Sequence, residues 1–199
     1  MRLWPFTVPG IPDELFAKGT VPMTKAEVRC LVLSQARLSR HHCIWDVGSG
    51  TGSVSVEAAL LAPEGRVFAV ERDPSATDLT RENLIRFGVE NATLIHDEAP
   101  GCLRELPPAD RVILSGTGGR QREILAALCS LINTPFRVVA VTVTADGVGR
   151  FLEVFEESGY RNIQATMVTI ARSEPVGPVK LWRGLNPVTI ISAERGGET

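Results

Sequence analysis

One stretch of the chain decides its fold: Asp46-Val47-Gly48-Ser49-Gly50-Thr51-Gly52. It joins an apolar run, Cys43–Val47, which predicts a buried strand, to Ser53–Leu61, which predicts a helix. Glycine has no Cβ, so glycines at alternate positions let a bound molecule approach the backbone closely. Ligands of open α/β sheets bind at the carboxyl ends of the strands, which is where this turn is placed. The stretch therefore predicts an α/β fold with a ligand site directly after the first strand.

Strands and helices alternate outward from this turn. Further strands are predicted at Arg66–Glu71, Thr93–His96, Arg111–Leu114 and Phe136–Thr144, and further helices at Pro74–Phe87, Gln121–Ile132 and Gly149–Ser158. This alternation predicts a parallel sheet with helices on both faces.

The end of the chain departs from that pattern. Two strand-like runs, Ile163–Ala171 and Val188–Ala193, are joined by the proline-containing connection Arg172–Pro187, without a helix between them. Consecutive strands without a crossover helix should be antiparallel. The prediction is thus a mostly parallel, seven-stranded sheet with an antiparallel last strand, which is the layout of the Rossmann-like class I methyltransferases.

A proline-rich segment, residues 1–22, precedes the sheet and is expected to be an extended arm. The sequence Thr24-Lys25-Ala26-Glu27 has the pattern of a capping box, and Val28, Leu31 and Val32 would form the apolar face of the helix that follows. A chain of 199 residues suits one domain. We therefore expect a single domain over 1–199, with the arm and first helix in 1–40 and the Rossmann-like core in 41–195.

Composition argues against several classes of protein. The formal net charge of −2 gives no basic field for a nucleic acid, and no apolar run is long enough to span a membrane. The four cysteines have no paired spacing, which favours free thiols in the reducing cytoplasm. The adjacent residues His41, His42 and Cys43 lack the repeated spacing of metal ligands, so we expect no metal.

The glycine turn alone does not identify the ligand. A dinucleotide fingerprint needs a third small residue, a requirement that Ser53 meets only marginally, and a pyrophosphate is disfavoured by the neighbouring Asp46. S-adenosylmethionine (SAM) carries a sulfonium and an ammonium, and a carboxylate suits such a cation. Asp46 would act through water or by fixing the loop.

Two more acidic positions support SAM as the cofactor. Glu71 ends the second predicted strand and could accept hydrogen bonds from both ribose hydroxyls. Asp97-Glu98-Ala99 ends the third, where a carboxylate could accept from the adenine amino group and a backbone N–H could meet a ring nitrogen. The competing interpretation is that these acids are ordinary loop residues.

With these residues identified, the chain resembles the cobalamin-pathway enzymes that methylate carbon 15 of a precorrin and decarboxylate its carbon-12 acetate. These are the stand-alone cobalt-precorrin-6B methyltransferases and the C-terminal domain of the fused precorrin-6Y enzymes. The resemblance covers nearly the whole chain, and its most selective parts are Val21-Pro22-Met23-Thr24-Lys25 and the turn Gly116-Thr117-Gly118-Gly119. The family usually has Gly-Asp-Ala where this chain has Asp97-Glu98-Ala99, so either acid could meet adenine, and we favour Glu98.

Residues and resemblance together give an expected cofactor site. Its members are Thr24, Asp46, Gly48, Ser49, Gly50, Thr51, Gly52, Glu71, Glu98 and Ala99. Thr24 has a competing role as the helix N-cap, and the two roles are compatible.

A precorrin carries many carboxylates, so its site should offer donors and positive charge. The expected substrate-binding residues are Gly118, Gly119, Arg120, Lys180 and Arg183, because the glycine turn precedes a helix N-terminus and the basic residues add charge. No strong general base stands out, and methyl transfer to an electron-rich carbon needs mainly alignment. No catalytic residue is therefore assigned.

The resemblance implies SAM-dependent methylation and decarboxylation of a cobalt-precorrin or precorrin by a cytoplasmic homotetramer. Two alternatives remain open: a class I methyltransferase acting on another small molecule or RNA, and a SAM-binding module without activity. Loss of CO₂ together with gain of a methyl group would distinguish the decarboxylating precorrin methyltransferase from both alternatives. The sequence leaves open whether the substrate contains cobalt.

Overall fold

A computed structural model describes residues 3–196 as a seven-stranded sheet with helices packed on it. The strands lie in the order β3-β2-β1-β4-β5-β9-β6. Neighbours among β1 to β5 are parallel, whereas β9 is antiparallel to both β5 and β6. The predicted mostly parallel sheet with an antiparallel last strand is confirmed. The outermost positions of the predicted domain, 1–2 and 197–199, lie outside the described residues.

The elements agree closely with the predicted alternation. The strands of this sheet are β1 (Cys43–Val47), β2 (Arg66–Glu71), β3 (Ala92–His96), β4 (Arg111–Leu114), β5 (Phe136–Thr142), β6 (Arg161–Val168) and β9 (Val188–Arg195). The helices are α1 (Ala26–Ala36), α2 (Ser53–Leu61), α3 (Pro74–Arg86), α4 (Gln121–Leu131) and α5 (Ala145–Glu157). Within residues 3–196, none of the helices is long and apolar enough to cross a membrane.

The sheet is covered on both faces because successive strand residues point to opposite sides. On one side Trp45 and Leu114 pack in a cluster with α4 and α5. On the other side Ile44 and Ile113 pack in a cluster with α1 and α2. This two-sided burial leaves the loops at the carboxyl ends of the strands as the open edge of the molecule.

The start of α1 differs from the prediction. Lys25, not Thr24, is the N-cap residue, and no side chain caps the helix in the manner of a capping box. The backbone N–H of Ala26 instead donates to Asp13 Oδ1 at 2.9 Å, so a carboxylate from the arm takes the place of the threonine hydroxyl. Leu31 is 39% exposed rather than part of the apolar face, whereas Val28 is buried as expected.

A buried ion cluster fastens the arm to the helices. Arg29 is fully buried, and its guanidinium pairs with Asp13 at 2.9 Å and with Glu57 at 2.8 Å. Glu57 also accepts the backbone N–H groups of Gly10 and Ile11, at 2.8 and 3.0 Å. Burial alone would raise the pKa of Asp13, but hydrogen bonds from Arg172 and Arg29 hold that pKa below its usual value.

The connection Arg172–Pro187 contains no helix, as predicted, but it forms strands that the sequence analysis did not predict. It contributes most of a separate two-stranded sheet, formed by β7 (Ala171–Val176) and β8 (Val179–Gly184). The strands are joined through Gly177 and Pro178, and Gly177 has a φ of +60°. A two-residue loop that begins with glycine is a recognised hairpin turn, and this signal was present in the sequence.

Replacing Arg29 with methionine should destabilise the fold, because Glu57 would remain buried without a cationic partner. We expect the free energy of unfolding to fall by about 3–5 kcal/mol, measured by urea denaturation. The matched control is Arg81→Met, which removes an exposed pair with Asp78 and should cost little. Equal losses in the two variants would show that the buried cluster does not hold the arm.

Candidate functional site

The glycine turn is shaped by a close approach between two backbone segments. A Cβ placed on Gly48 would lie 1.9 Å from the carbonyl oxygen of Ser115, which follows β4, so only glycine fits there. Gly48, Gly50 and Gly52 all have positive φ, and Gly52 is the N-cap of α2. The turn is thus pressed against the end of β4 while its other side stays open.

Glu71 fixes the turn from the end of β2. Its Oε2 accepts the N–H of Gly50 at 2.9 Å, and its Oε1 accepts those of Arg72 and Asp73 at 2.8 and 2.9 Å. A carboxylate has about four acceptor positions, so roughly one remains on Glu71. Glu71 therefore orders the loop and keeps a limited capacity to accept a further hydrogen bond.

Asp46 lies beneath the turn and is 1% exposed. Its Oδ2 accepts the hydroxyl of Ser55, in α2, at 2.5 Å. Burial raises the pKa of Asp46 to about 6; the hydroxyl of Ser55 opposes the rise and the charge of Glu71 adds to it. This contact is the one expected if Asp46 fixes the loop.

Thr51 carries an unsatisfied hydroxyl. Its Oγ1 is buried and has no hydrogen-bond partner within residues 3–196, although Asn83 donates to its backbone carbonyl at 2.8 Å. An unpaired buried hydroxyl costs about 1–3 kcal/mol, so its retention in the wall of a cavity points to a ligand.

A cavity of about 810 Å³ opens at the carboxyl edge of the sheet. It lies within the size range of small-molecule sites, which is roughly 300–1,000 Å³. The turn and Glu71 form one half, and the loops after β4 and β5 form the other. The arm segment Val21–Lys25 and residues Leu185–Asn186, before β9, complete the wall.

Most of the predicted cofactor residues meet at this cavity. The lining includes Thr24, Asp46, Gly48, Ser49, Gly50, Thr51 and Glu71, whereas Gly52 does not line the cavity and lies next to Thr80. Thr24 is not the N-cap of α1, so of its two predicted roles only the ligand contact remains.

Asp97, Glu98 and Ala99 line a smaller adjoining crevice of about 30 Å³. Both carboxylate oxygens of Glu98 are in ion pairs, with Arg72 at 2.7 Å and Arg120 at 3.1 Å, and the hydrogen bond from Arg72 is the main cause that lowers its pKa. Asp97 uses one oxygen to accept the N–H of Glu98 at 2.7 Å. The geometry therefore favours Asp97 over Glu98 as the acceptor for a ligand, opposite to the preference from sequence.

The predicted substrate residues divide into two groups. Gly118 and Gly119 line the cavity. Arg120 does not, because its guanidinium turns to Glu98 and to Glu123, which lies one turn along α4 at 2.9 Å.

Lys180 and Arg183 are also absent from the cavity wall. Both lie on β8, where every position is exposed, and Arg183 approaches Glu174 of the same hairpin at 3.6 Å. The hairpin carries them away from the site because the connection is a folded ribbon rather than a loop across the strand ends.

Sequence reasoning missed several polar residues of the cavity wall, among them Lys25, Gln121, Arg150 and Asn186. Lys25 and Arg150 make no ion pair within residues 3–196.

The cavity carboxylates Asp46 and Glu71 lie at the ends of β1 and β2, whereas Lys25 directly precedes α1 and Arg150 lies on α5. The C-terminal end of α1 sits at the start of β4 and β5, where Arg111 and Arg137 donate to its carbonyls, so Lys25 lies over the opposite ends of those strands.

The comparisons with known proteins agree with this geometry. A family model described as a precorrin methyltransferase domain matches residues 14–195. A Pyrobaculum calidifontis protein named "probable cobalt-precorrin-6B C(15)-methyltransferase (decarboxylating)" is 44% identical, over 96% of this chain and 98% of its own. The Salmonella typhimurium cobalt-precorrin-6B C(15)-methyltransferase (decarboxylating) is 34% identical, over 92% and 95% respectively.

A solved structure shows the same architecture. The precorrin-6Y C5,15-methyltransferase of Geobacter metallireducens superposes with a TM-score of 0.90 at 37% identity, and the match covers 96% of this chain and 100% of that one. From the extent of the family match, the identity to its relatives and the shared fold, we conclude that this chain belongs to the precorrin methyltransferase domain family.

Proposed function

We propose that the chain transfers a methyl group from SAM to carbon 15 of cobalt-precorrin-6B and removes the carbon-12 acetate carboxyl as CO₂. The observation that carries the proposal is the cavity at the strand ends, which the Gly48 turn and Glu71 line and whose wall includes Thr51, the residue with the unpaired hydroxyl. The names and high coverage of the relatives support this choice of reaction and substrate.

The residues present fit SAM. Gly48 leaves no room for a side chain beside Ser115, so the turn lies directly against the end of β4, and its backbone lines the cavity. Thr51 offers an unused hydroxyl, and Glu71 offers its remaining acceptor position to the ribose. The ionised form of Asp46 would favour the positive end of the cofactor. When bound, SAM supplies an electrophilic methyl group on its sulfonium.

We assign the adenine contact to Asp97, whose side chain keeps a free oxygen, and to the backbone of Ala99. The crevice beside them adjoins the main cavity and shares Gly48, Glu71 and Arg72 with its wall. Arg72 and Arg120 bridge to Glu98 at this point and are both partly exposed.

The chain's own part in the reaction is to bind, align and exclude water. The substrate carbon takes the methyl with an electron pair of the macrocycle and releases its proton, loss of CO₂ leaves an electron pair, and that pair takes up one proton at the former acetate carbon. The sum needs no oxidant and no net proton. This balance is consistent with a cavity whose titratable groups, such as Asp46 and Glu71, are engaged in holding the loop.

Three further properties stay predictions: a homotetramer, a cytoplasmic location and the lack of a nucleic acid partner. The division of the chain at residue 40 stays a prediction as well.

Incubation of the purified protein with SAM and cobalt-precorrin-6B tests the reaction. Mass spectrometry of the corrinoid should show gain of one methyl and loss of one CO₂, both dependent on SAM. A methylated product that keeps its carboxyl would limit the activity to methyl transfer, and an unchanged substrate would rule out the proposed reaction.

Glu71→Ala should weaken SAM binding at least about tenfold, because it removes a charged acceptor and releases the N–H of Gly50. Isothermal titration calorimetry measures the change. Glu82→Ala, an exposed position on α3, is the control and should bind SAM like the parent. An unchanged affinity in Glu71→Ala would remove Glu71 from the cofactor site.

The SAM dissociation constant should depend on the protonation of Asp46. The pKa of Asp46 is about 6 in the free protein, and a bound cation favours the ionised form, so affinity should be full above pH 6 and fall below it. We expect a loss of up to about tenfold between pH 7 and pH 5. Asp46→Asn cannot titrate and should bind with nearly constant affinity over this range; the same pH profile in both proteins would refute the assignment.

A further inference from the structure

The half of the cavity formed after β4 and β5 contains an amide side chain that makes no hydrogen bond to the described residues. Gln121, the first residue of α4, is only 7% exposed and lines the cavity. Its side chain has no hydrogen-bond partner within residues 3–196. The residue is largely buried, but its amide is not among the fully buried unpaired groups, so the amide stays accessible from the cavity, where a ligand can reach it.

The first turn of α4 adds a second feature at the same place. No side chain caps the helix, whereas Thr144 caps α5 by accepting the N–H of Gly147 at 3.1 Å. The free N–H groups of a helix N-terminus favour an anion. An amide that can donate, directly at such an end, suits an oxygen ligand with negative charge.

Arg150 supplies the matching charge from α5. It lines the cavity and has no acidic partner in the described part of the chain. The other arginines near this edge are all paired: Arg72 with Glu98, Arg120 with Glu98 and Glu123, and Arg122 with Glu153 and Glu157. Arg150 is thus the one arginine of the cavity wall, among the described residues, whose charge is available to a ligand.

We propose that Gln121 and Arg150 form a carboxylate-binding subsite for the tetrapyrrole acceptor. The Gln121 amide donates to one oxygen of an acetate or propionate arm, the uncapped N-terminus of α4 faces the same group, and Arg150 balances its charge. This inference rests on the proposed function and replaces Arg120, Lys180 and Arg183 as the carboxylate partners, because the fold places those three outside the cavity.

The subsite acts on binding and alignment of the acceptor, and the cofactor contacts lie elsewhere. Gln121 and Arg150 belong to the loops and helices after β4 and β5, whereas the turn and Glu71 follow β1 and β2. Substitutions at the subsite should therefore change acceptor affinity and leave SAM affinity alone.

The test measures two affinities in the same set of variants. Binding of cobalt-precorrin-6B to enzyme saturated with S-adenosylhomocysteine is followed by corrinoid absorbance, and SAM binding by calorimetry. Gln121→Met and Arg150→Gln should each weaken corrinoid binding by about tenfold, Gln121→Glu by more, and SAM affinity should stay within about twofold. Arg150→Lys should recover part of the loss because it keeps the charge.

Two matched controls carry the same substitutions outside the cavity. Arg122→Gln removes an arginine that pairs with Glu157, and Gln164→Glu adds a carboxylate on exposed β6. Both should bind the corrinoid like the parent. A loss in the controls equal to that at Gln121 and Arg150 would mean a general charge effect and would overturn the subsite.

Thermal unfolding tests whether Gln121 has a purely structural role. If the amide is unpaired in the free protein, Gln121→Met should keep or raise the melting temperature. A fall of several degrees, or a loss of SAM affinity as large as the loss of corrinoid affinity, would overturn the inference. If the parent protein binds no corrinoid, the proposed function fails first; if the parent binds and the variants match it, only the subsite fails.

Discussion

The contact between Gly48 and the carbonyl of Ser115 is the constraint on which the site depends. It brings the loop after β1 against the end of β4 at less than the distance a methyl group needs. The chain order reverses at this point of the sheet, because β2 and β3 lie on one side of β1 and β4 and β5 on the other. Loops on the two sides diverge from such a reversal and leave a crevice between them. The strand order therefore creates the cavity, and Gly48 allows the loop after β1 to pack directly against the end of β4.

A second set of contacts brings the arm to this cavity. The buried guanidinium of Arg29 binds Asp13 and Glu57, and Glu57 accepts backbone N–H groups of the arm. Asp13 in turn holds the first N–H of α1 and the guanidinium of Arg172. Since Val21–Lys25 lies between these anchored points, its place in the cavity wall is set by buried charge rather than by apolar packing alone.

The sequence predicted the sheet well because strand and helix periods, together with the glycine turn, are local signals. It also placed Asp46, Thr51 and Glu71 together, since they follow neighbouring parallel strands. It failed where the answer depended on which way a side chain turns: Arg120 is drawn to Glu98 and Glu123, and no spacing rule shows that. Gln121 was missed for a related reason, because an amide can be recognised as unpaired only when the positions of all its possible partners are known.

The division of charge across the cavity has a consequence for how two ligands share one space. Asp46, Glu71 and Asp73 line it together with Arg72, whose guanidinium is paired with Glu98, whereas the cavity cations Lys25 and Arg150 make no ion pair within the described residues. A cationic ligand in the wrong half would meet like charge, as would a polyanion beside the glycine turn. If SAM and a precorrin are its ligands, as proposed, these charges favour different positions in the cavity for the cation and the polyanion. Charges placed in this way would let a wide cavity favour a different position for each reactant without a tight fit to either one.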